Sequence, residues 1–462
     1  MWQIRRPAQV DTHEQGERHS SVEEHRLVTV GDAGAFAKRD FHTDLKVELH
    51  QRLLGLINLQ ALEQMSRDQI EYEVGDIVSE QLAKQNHALN HAERKQLVSD
   101  ILDELLGLGP LEPLLKDPTI TDILVNGDSQ VFVERYGVLE PSQARFKDEK
   151  HLFRIIQKIV SAVGRRIDES SPMVDARLAD GSRVNAVVPP LAIDGSTLSI
   201  RKFARVPISM DRLVELGSVP IQVAEVLRAI VAARKNVLIS GGTGSGKTTL
   251  LNAMSAFVDG RERIVTIEDS AELQLQQEHV VRLETRPPNI EGKGEIAQRH
   301  LVKNSLRMRP DRIIVGEVRA GEAFDMLQAM NTGHDGSMTT VHANSARDAL
   351  SRVEQMVGMS GVDIPLRSAR AQIASAIDVV IQVARLSDGR RKLTSVSELT
   401  GMEGDVITMQ EIFRFRQMGV NADRIVEGRF EATGIRPRFL DQVMSHGITL
   451  SADLFRPDAK FD

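Results

Sequence analysis

The sequence contains no cysteine, which excludes disulfide bonds, cysteine-ligated zinc and thiol catalysis in its 462 residues. Aromatic residues make up 4% of the chain, with one Trp and two Tyr, so no surface for stacking nucleic-acid bases is evident. Positive charge is not in excess either, because 58 Lys and Arg stand against 65 Asp and Glu, giving a net charge of -7. The composition therefore does not favour a nucleic-acid partner.

Long apolar runs are absent as well. No stretch approaches the roughly 18 apolar residues that a membrane-spanning helix needs, and residues 1–21 lack the apolar core of a signal peptide. The lack of cysteine also agrees with a reducing compartment. We therefore expect a cytosolic protein. If it functions at a membrane, we expect it to bind the membrane surface and not to span the bilayer.

Composition and hydrophobic periodicity predict several segments. Residues 1–44 are polar and predict a flexible tail, in which four scattered histidines lack metal-ligand spacing. Apolar residues recur at helical intervals over 45–108 and predict a small helical bundle. Strands with turns at Asn126-Gly127 and Asp180-Gly181, together with one helix, predict an α/β domain over 109–205. The remaining segments are a linker at 206–214, an α/β domain at 215–445 and a C-terminal tail at 446–462.

A phosphate-binding loop is the most specific motif. Residues 241–248, "GGTGSGKT", match G-x-x-x-x-G-K-[ST] between an apolar strand and a helix. Glycines let backbone N–H groups wrap a polyphosphate, Lys247 would contact the β and γ phosphates, and Thr248 would ligate Mg²⁺. The expected nucleotide-binding residues are Gly241, Gly242, Thr243, Gly244, Ser245, Gly246, Lys247, Thr248 and Thr249.

Triphosphate hydrolysis also needs carboxylates at the ends of neighbouring strands, to hold Mg²⁺ and to orient the attacking water. One apolar run ends at Glu268 and Asp269, and another ends at Gly316 and Glu317. Gly316 stands where the usual magnesium-binding aspartate would be, which leaves Glu317 for Mg²⁺, directly or through water. Glu268 is the better candidate for general base, although Glu317 stays open for that role. The alternative to a catalytic role is that these carboxylates are solvated groups in turns. This alternative has more weight for Asp269 and Glu272 than for Glu268 and Glu317.

Four stretches in this order resemble the type II/type IV secretion ATPase superfamily, whose members are hexameric motors with a RecA-like nucleotide domain. They are the Walker A loop at 241–248, an aspartate box "TIEDSAEL" at 266–273, a Walker B variant "DRIIVGEVRAGEAFDML" at 311–327 and a histidine box "NTGHDGSMTTVHANS" at 331–345. Within the superfamily, "LGLGPLEPLLKDPTITDILVNG", "GRRIDESSPMVDARLADGSRVNAVVPP" and "ITMQEIFRF" before "ATGIRPRF" resemble the tight-adherence (Flp, type IVc) pilus branch.

The resemblance implies an α/β multidomain fold, with a RecA-like P-loop NTPase core preceded by a PAS-like α/β N-terminal domain and the helical bundle. It implies a homo-hexamer that hydrolyses ATP with Mg²⁺ to ADP and phosphate at the cytoplasmic face of the inner membrane. Acting on polytopic platform proteins of that membrane, the hexamer would power assembly, and retraction, of a tight-adherence pilus. Zinc is not expected, because the four-cysteine zinc insertion of some relatives is absent. Nucleic acid is not expected as a partner either, because of the acidic charge balance and the few aromatic residues.

The resemblance also assigns roles to a histidine and two arginines. His342 would contact the γ-phosphate or link it to the moving domain, with His334 as a further candidate. Bonds to loop carbonyls are the alternative for both, and metal ligation would need a third ligand that the spacing does not supply. Arg183 and Arg201 match positions that reach the nucleotide from the N-terminal domain, with an exposed ion pair as the alternative. Further candidates are Arg165, Arg166 and Arg177.

Three other functions stay open from the sequence. A type IV secretion or conjugation ATPase would have the same nucleotide site. A nucleic-acid translocase is disfavoured by the acidic balance and the few aromatic residues. A regulatory scaffold that binds nucleotide without hydrolysing it is conceivable because Gly316 replaces an acidic residue.

Overall fold

The computed structural model describes residues 67–84, 90–203, 207–288, 293–457 and 459–461. The chain is divided into two compact units, 1–112 and 113–462. The tail predicted at 1–44 and the bundle residues up to 66 lie outside the described residues.

The described part of the first unit contains two α-helices, α1 (Arg67–Lys84) and α2 (His91–Leu105), followed by a 3₁₀ turn (Gly109–Leu111). A capping box begins α2: the Asn90 side chain accepts from the Glu93 N–H at 2.8 Å, and the Glu93 carboxylate accepts from the Asn90 N–H at 3.0 Å. The helices pack through apolar stripes that recur every three or four residues, which is the predicted helical periodicity. The buried residues are Ile70, Val74, Val78 and Leu82 of α1 and Leu97, Val98, Ile101 and Leu102 of α2.

The short helix α3 (Glu112–Lys116) leads into an antiparallel sheet of six strands, in the order β3-β2-β1-β6-β5-β4. The strands are β1 (Ile120–Asn126), β2 (Gln130–Arg135), β3 (Val138–Pro141), β4 (Met173–Arg177), β5 (Arg183–Val187) and β6 (Thr197–Arg201). Gly127 and Gly181 have φ of +68° and +92°, which confirms the two predicted turns. Helix α4 (Glu149–Ala162) connects β3 to β4 and buries an apolar face that includes Ile155 and Ile159.

A second sheet has ten strands, in the order β16-β15-β14-β13-β12-β7-β11-β10-β8-β9. From β12 to β9 all neighbours are parallel, and from β12 to β16 they are antiparallel. The strands are β7 (Val237–Gly241), β8 (Ile264–Glu268), β9 (Val280–Glu284), β10 (Arg312–Val318), β11 (Met338–His342), β12 (Val379–Arg385), β13 (Arg391–Glu403), β14 (Val406–Val420), β15 (Val426–Ala432) and β16 (Lys460–Phe461).

Helices cover both faces of the parallel strands. They are α5 (Met210–Glu215), α6 (Ile221–Ala232), α7 (Lys247–Ser255), α8 (Gln298–Ser305), α9 (Glu322–Asn331), α10 (Ala346–Gly358), α11 (Leu366–Ala376) and α12 (Phe439–Ser445). Successive residues of β7 point into different hydrophobic cores on the two faces of the sheet. Val237 and Ile239 belong to the core that contains α6 and α7, and Leu238 belongs to the core that contains α9 to α11. This layering confirms the predicted α/β multidomain fold.

The C-terminal segment differs from its prediction. Residues 446–462 were expected to form a tail, but the described part contains a 3₁₀ turn (Ala452–Phe455) and β16. Phe455 and Phe461 are buried with ring centroids 5.6 and 5.9 Å from that of Phe413. The segment is too short to show a period, so the sequence carried no signal for this packing.

Two smaller features bear on the predicted organisation. Helix α5 begins at Met210, inside the predicted linker, because the Ser209 hydroxyl accepts from the Arg212 N–H at 3.2 Å and caps it. Within the described ranges, no helix combines the length and the apolar character that crossing a bilayer would require.

Candidate active site

The carboxyl ends of the parallel strands bring the predicted chemistry to one edge of the ten-stranded sheet. β11 lies between β7 and β10, and its register places His342 opposite Gly241. β10 pairs with β8 so that Gly316 and Glu268 follow directly after the partners Val315 and Ile267. The phosphate loop, both predicted carboxylates and the histidine therefore converge on a single edge.

The loop after β7 has the geometry of a phosphate cradle. Gly244 and Gly246 have φ of +67° and +95°, and a Cβ added to Gly241 would lie 2.4 Å from the Ser245 hydroxyl. That hydroxyl donates to the Gly242 carbonyl at 2.8 Å and closes the turn around Thr243. Helix α7 then begins without a side-chain cap, and Thr248 and Thr249 stand in its first turn. An uncapped helix N-terminus behind glycines fits a polyphosphate.

Lys247 is held inside this cradle. Its Nζ donates to the carbonyls of Gly241 and Gly242, both at 3.0 Å, and lies 3.9 Å from Oε1 of Glu317. Burial lowers the pKa of Lys247, Glu317 raises it in opposition, and Arg319 lowers it further. A partly desolvated ammonium at a phosphate loop is suited to bind phosphate oxygens.

Glu268 is buried, with 3% of its surface exposed, at the end of β8. Its Oε2 accepts from the N–H groups of Glu272 and Leu273 at 2.8 and 2.9 Å, whereas the buried Oε1 has no hydrogen-bond partner among the residues that the structure describes. Burial raises the pKa of Glu268 to about 7, against the lowering effect of those two N–H groups. A carboxyl group that titrates near neutral pH with one unpartnered oxygen can accept a proton from water.

Gly316, which stands in place of the usual aspartate, makes room for Glu268. A Cβ on Gly316 would lie 2.9 Å from Cγ of Glu268, close to the root of that side chain. Any larger residue would displace the carboxylate. The departure from the Walker B pattern is therefore a packing requirement of the glutamate on the next strand.

Arg319 belongs to the site although the sequence interpretation did not single it out. Its Nε and Nη2 bond to Oε2 of Glu317 at 2.9 and 2.6 Å, and its Nη1 bonds to Asp269 at 3.0 Å. Burial raises the pKa of Asp269, and Arg319 lowers it in opposition. Arg319 directly follows Val318, the last residue of β10, and stands two positions after Glu317 within the Walker B stretch at 311–327.

The predicted arginines lie in a row across the six-stranded sheet. Arg183 on β5 pairs with Arg201 on β6 and with Arg177 on β4, and register partners project from the same face. Arg183 bonds through Nη1 to Glu272 at 2.8 Å, beside the N–H groups that hold Glu268. Arg201 is held within its own sheet by Asp122 at 3.0 Å.

The further arginine candidates have other partners. Arg177 bonds to Glu284 of β9 at 2.8 Å, a second contact between the arginine row and the ten-stranded-sheet domain. Arg165 and Arg166 bond to acceptors within the N-terminal α/β domain itself. Among these candidates, Arg183 is the one that forms an ion pair with the aspartate box at 266–273.

The two histidines differ in their surroundings. His342 is exposed at the end of β11. Nδ1 of His334 lies 3.2 Å from the carbonyl of Ala329, and the His334 carbonyl accepts from the Ser337 hydroxyl at 2.7 Å. His334 thus has the loop contacts of a structural residue, whereas the exposed His342 lies opposite Gly241, the first residue of the phosphate loop.

The chain is similar to known secretion proteins. Residues 104–429 match the family described as type II/IV secretion system protein. A putative conjugal transfer protein of Mycobacterium tuberculosis (strain H37Rv) is 43% identical over 310 residues, 66% of this chain and 87% of that protein. The type IV secretion system protein VirB11 of Bartonella quintana is 32% identical over 329 residues, 63% of this chain and 92% of that protein. Among solved structures, the VirB11 ATPase from the Brucella suis type IV secretion system, in complex with sulphate, is 29% identical, with a TM-score of 0.34 and coverage of 63% of this chain and 95% of that chain.

Proposed function

The chain belongs to the type II/IV secretion system protein family, and from this premise we propose that it is the motor of a type IV secretion or conjugal-transfer apparatus. It is an ATP-hydrolysing enzyme. The observation that carries the proposal is the convergence of the phosphate loop, Glu268, Glu317 and His342 on one sheet edge. Motors of this kind convert hydrolysis at such an edge into movement of an attached domain.

Each residue at this edge has a separate part in the proposed mechanism. Lys247 and the backbone N–H groups of the loop bind the phosphates, and Glu268 accepts a proton from the attacking water through its unpartnered Oε1. Thr248 and Glu317 would hold Mg²⁺, directly or through water, and the ion would supply positive charge against the phosphates. His342 reports whether a phosphate is present.

Arginines from the N-terminal α/β domain complete the proposed site. Arg183 already contacts Glu272 in the aspartate box, so a short movement would bring it toward the phosphates. Arg201 stands beside it in the same row. Arginines that stabilise transition-state charge in phosphoryl transfer raise turnover by ~10³–10⁵. Their release after hydrolysis would let the two domains move apart.

Relatives named as conjugal transfer and type IV secretion proteins favour this function over the tight-adherence pilus, which the sequence motifs placed first. Assembly and retraction of such a pilus remain the second candidate, supported by stretches such as "LGLGPLEPLLKDPTITDILVNG" and "ATGIRPRF". Both candidates use the same nucleotide site. They differ in what the motor moves.

The working form that we propose is a homo-hexamer at the cytoplasmic face of the inner membrane. There it would act on polytopic platform proteins of the apparatus. The acidic net charge of -7 and the 4% aromatic content support protein partners over nucleic acid.

Replacing Lys247 by Ala in cells that carry the apparatus tests the proposal. We expect loss of protein or DNA transfer to recipient cells, while the variant chain accumulates to its normal level. Loss of surface pili with normal transfer would instead support the tight-adherence function. Normal transfer together with normal pili would contradict both.

A further inference from the structure

Three arginines occupy the β12–β13 hairpin, and among the residues that the structure describes only Arg390 has a carboxylate partner. Arg390 bonds to Asp388 through Nε at 2.7 Å, so its charge is offset within the hairpin. For Arg385 and Arg391, the part of the chain that the structure describes supplies no carboxylate within ion-pair distance. The two are direct register partners across the antiparallel strands, an arrangement in which like charges repel.

This pair of positive charges lies against the phosphate loop. β12 pairs with β7, so that Val383 is opposite Gly241, and a Cβ on Gly241 would lie 2.5 Å from the Val383 carbonyl oxygen. The Nε of Arg391 donates to the carbonyl of Gly244 at 2.9 Å. The Nη1 of Arg385 lies 3.9 Å from the position that a Cβ on Gly244 would occupy.

The contacts of the two side chains differ in a way that suggests different roles. Arg391 bonds to the carbonyl of Gly244, an acceptor that does not bind phosphate, and so its contact holds the backbone of the loop. Arg385 donates through Nη2 to the carbonyl of Gly137 in the β2–β3 turn, a contact that a stronger acceptor could replace. A backbone carbonyl is a weaker partner for a guanidinium than a phosphate, which takes two parallel charge-assisted hydrogen bonds.

We propose that Arg385 and Arg391 form a second cationic wall of the nucleotide site, beside Gly244 of the loop. Arg385 is a phosphate-binding residue that exchanges the Gly137 carbonyl for the nucleotide. Arg391 is a positioning residue that acts through Gly244. The inference rests on the proposed function, because a nucleoside triphosphate would supply the negative charge that offsets Arg385 and Arg391.

Equilibrium binding of a fluorescent ATP analogue to the full chain, at several salt concentrations, tests the inference. We expect Arg385→Gln and Arg391→Gln each to weaken binding about tenfold. Arg385→Gln would lose a charge-assisted hydrogen bond to phosphate, and Arg391→Gln would lose the contact that holds the loop in position to bind it. The dependence of affinity on salt should become shallower in both, because each variant removes a charge from the site. The matched control is Arg416→Gln, an exposed arginine of β14 in the same sheet, which should bind within about twofold of wild type.

A second variant separates charge from shape. Arg391→Lys keeps the charge but loses the guanidinium Nε–H that donates to the Gly244 carbonyl, so it should keep the wild-type salt dependence with an intermediate affinity. Thermal unfolding without nucleotide should be unchanged in all variants, since neither arginine is buried.

The outcomes of the binding experiment are distinct. Wild-type affinity in both Gln variants, or an equal loss in Arg416→Gln, would overturn the cationic wall and leave the proposed function intact. Failure of wild type to bind the analogue more tightly than Lys247→Ala would overturn the proposed function and the inference that rests on it.

Discussion

Glu268 is the side chain to which we assign the proton transfer of the proposed mechanism. It is buried, one of its oxygens accepts from two backbone N–H groups, and the other has no partner within the described ranges. Because burial raises its pKa to about 7, the carboxyl is protonated in acid and becomes a base only as the pH approaches neutrality. Activity should therefore follow the ionisation of this one group.

The pH profile of hydrolysis tests this assignment. Wild-type kcat should rise with a midpoint near pH 7, as Glu268 loses its proton. Glu268→Gln should lower kcat by roughly 10²–10⁴ and abolish the rising limb, with nucleotide affinity retained. A rising limb of unchanged midpoint in the variant would assign the profile to another group, with Glu317 the next candidate.

The same carboxyl gives stability a pH dependence. Its pKa rises from an ordinary value of 4.5 to about 7 in the folded chain, so the folded state keeps a proton that the unfolded state releases between these values. The contribution of Glu268 is thus fully present below about pH 4.5 and is lost as the pH rises through about 7. Urea unfolding of Glu268→Gln should show a shallower decline of stability over this window than wild type does. Parallel declines in the two proteins would contradict the raised pKa.

Gly316 determines where Glu268 stands. Gly316→Ala would place a methyl group 2.9 Å from Cγ of Glu268 and force that side chain to shift. We expect turnover to fall at least about tenfold with ATP affinity nearly unchanged, because a displacement of about 1 Å can cost 10²-fold in rate. Gly358→Ala, at a helical glycine with open space around its Cβ position, is the matched control and should keep wild-type turnover. Wild-type kcat in Gly316→Ala would show that the glycine does not serve the glutamate.

At the scale of elements, the two ends of the parallel strands have different tasks. The carboxyl ends of β8, β10 and β11 carry the proposed chemistry, whereas their amino ends meet at a buried ion pair. Arg312, 1% exposed, bonds to Glu262 through Nε and Nη2 at 2.8 and 2.9 Å and to the Gly336 carbonyl at 3.3 Å. One side chain at the start of β10 thus ties down the segments that lead into β8 and β11.

Removal of that arginine should destabilise the whole sheet. Arg312→Ala leaves the buried Glu262 with the half-exposed Arg234, 2.9 Å away, as its remaining ion-pair partner. We therefore expect the free energy of unfolding to fall by about 3 kcal/mol in chemical denaturation, the lower end of the range for a broken buried ion pair. Arg261→Ala removes a fully exposed partner of Asp259 and should produce no measurable change. A similar small effect for both variants would show that the buried pair does not hold the strands together.

Features that depend on local pattern could be predicted from the sequence. The phosphate loop, the Asn126-Gly127 and Asp180-Gly181 turns and the strand that ends at His342 follow from glycine spacing and from runs of β-branched residues. Partners that are far apart in the chain could not be predicted. Arg183 meets Glu272 only through folding, and the hairpin arginines reach Gly244 because β12 pairs with β7.

At the scale of the whole molecule, the arginine row links two sheets. Arg183 and Arg177 bond to Glu272 and Glu284 of the ten-stranded-sheet domain, so the N-terminal α/β domain is held by ion pairs that nucleotide phosphates could compete for. The contacts are half-exposed, and such pairs contribute little stability in water. The arrangement therefore suits a domain that moves with each round of hydrolysis.

Steady-state ATP hydrolysis at several protein concentrations, with and without DNA, tests the central claim most directly. The account predicts that hydrolysis per chain rises cooperatively with concentration as the ring assembles, vanishes in Lys247→Ala and Glu268→Gln, and is indifferent to DNA. Strong stimulation by DNA would indicate a nucleic-acid translocase instead. Absence of turnover in the assembled wild-type protein would contradict the motor and favour a nucleotide-binding scaffold.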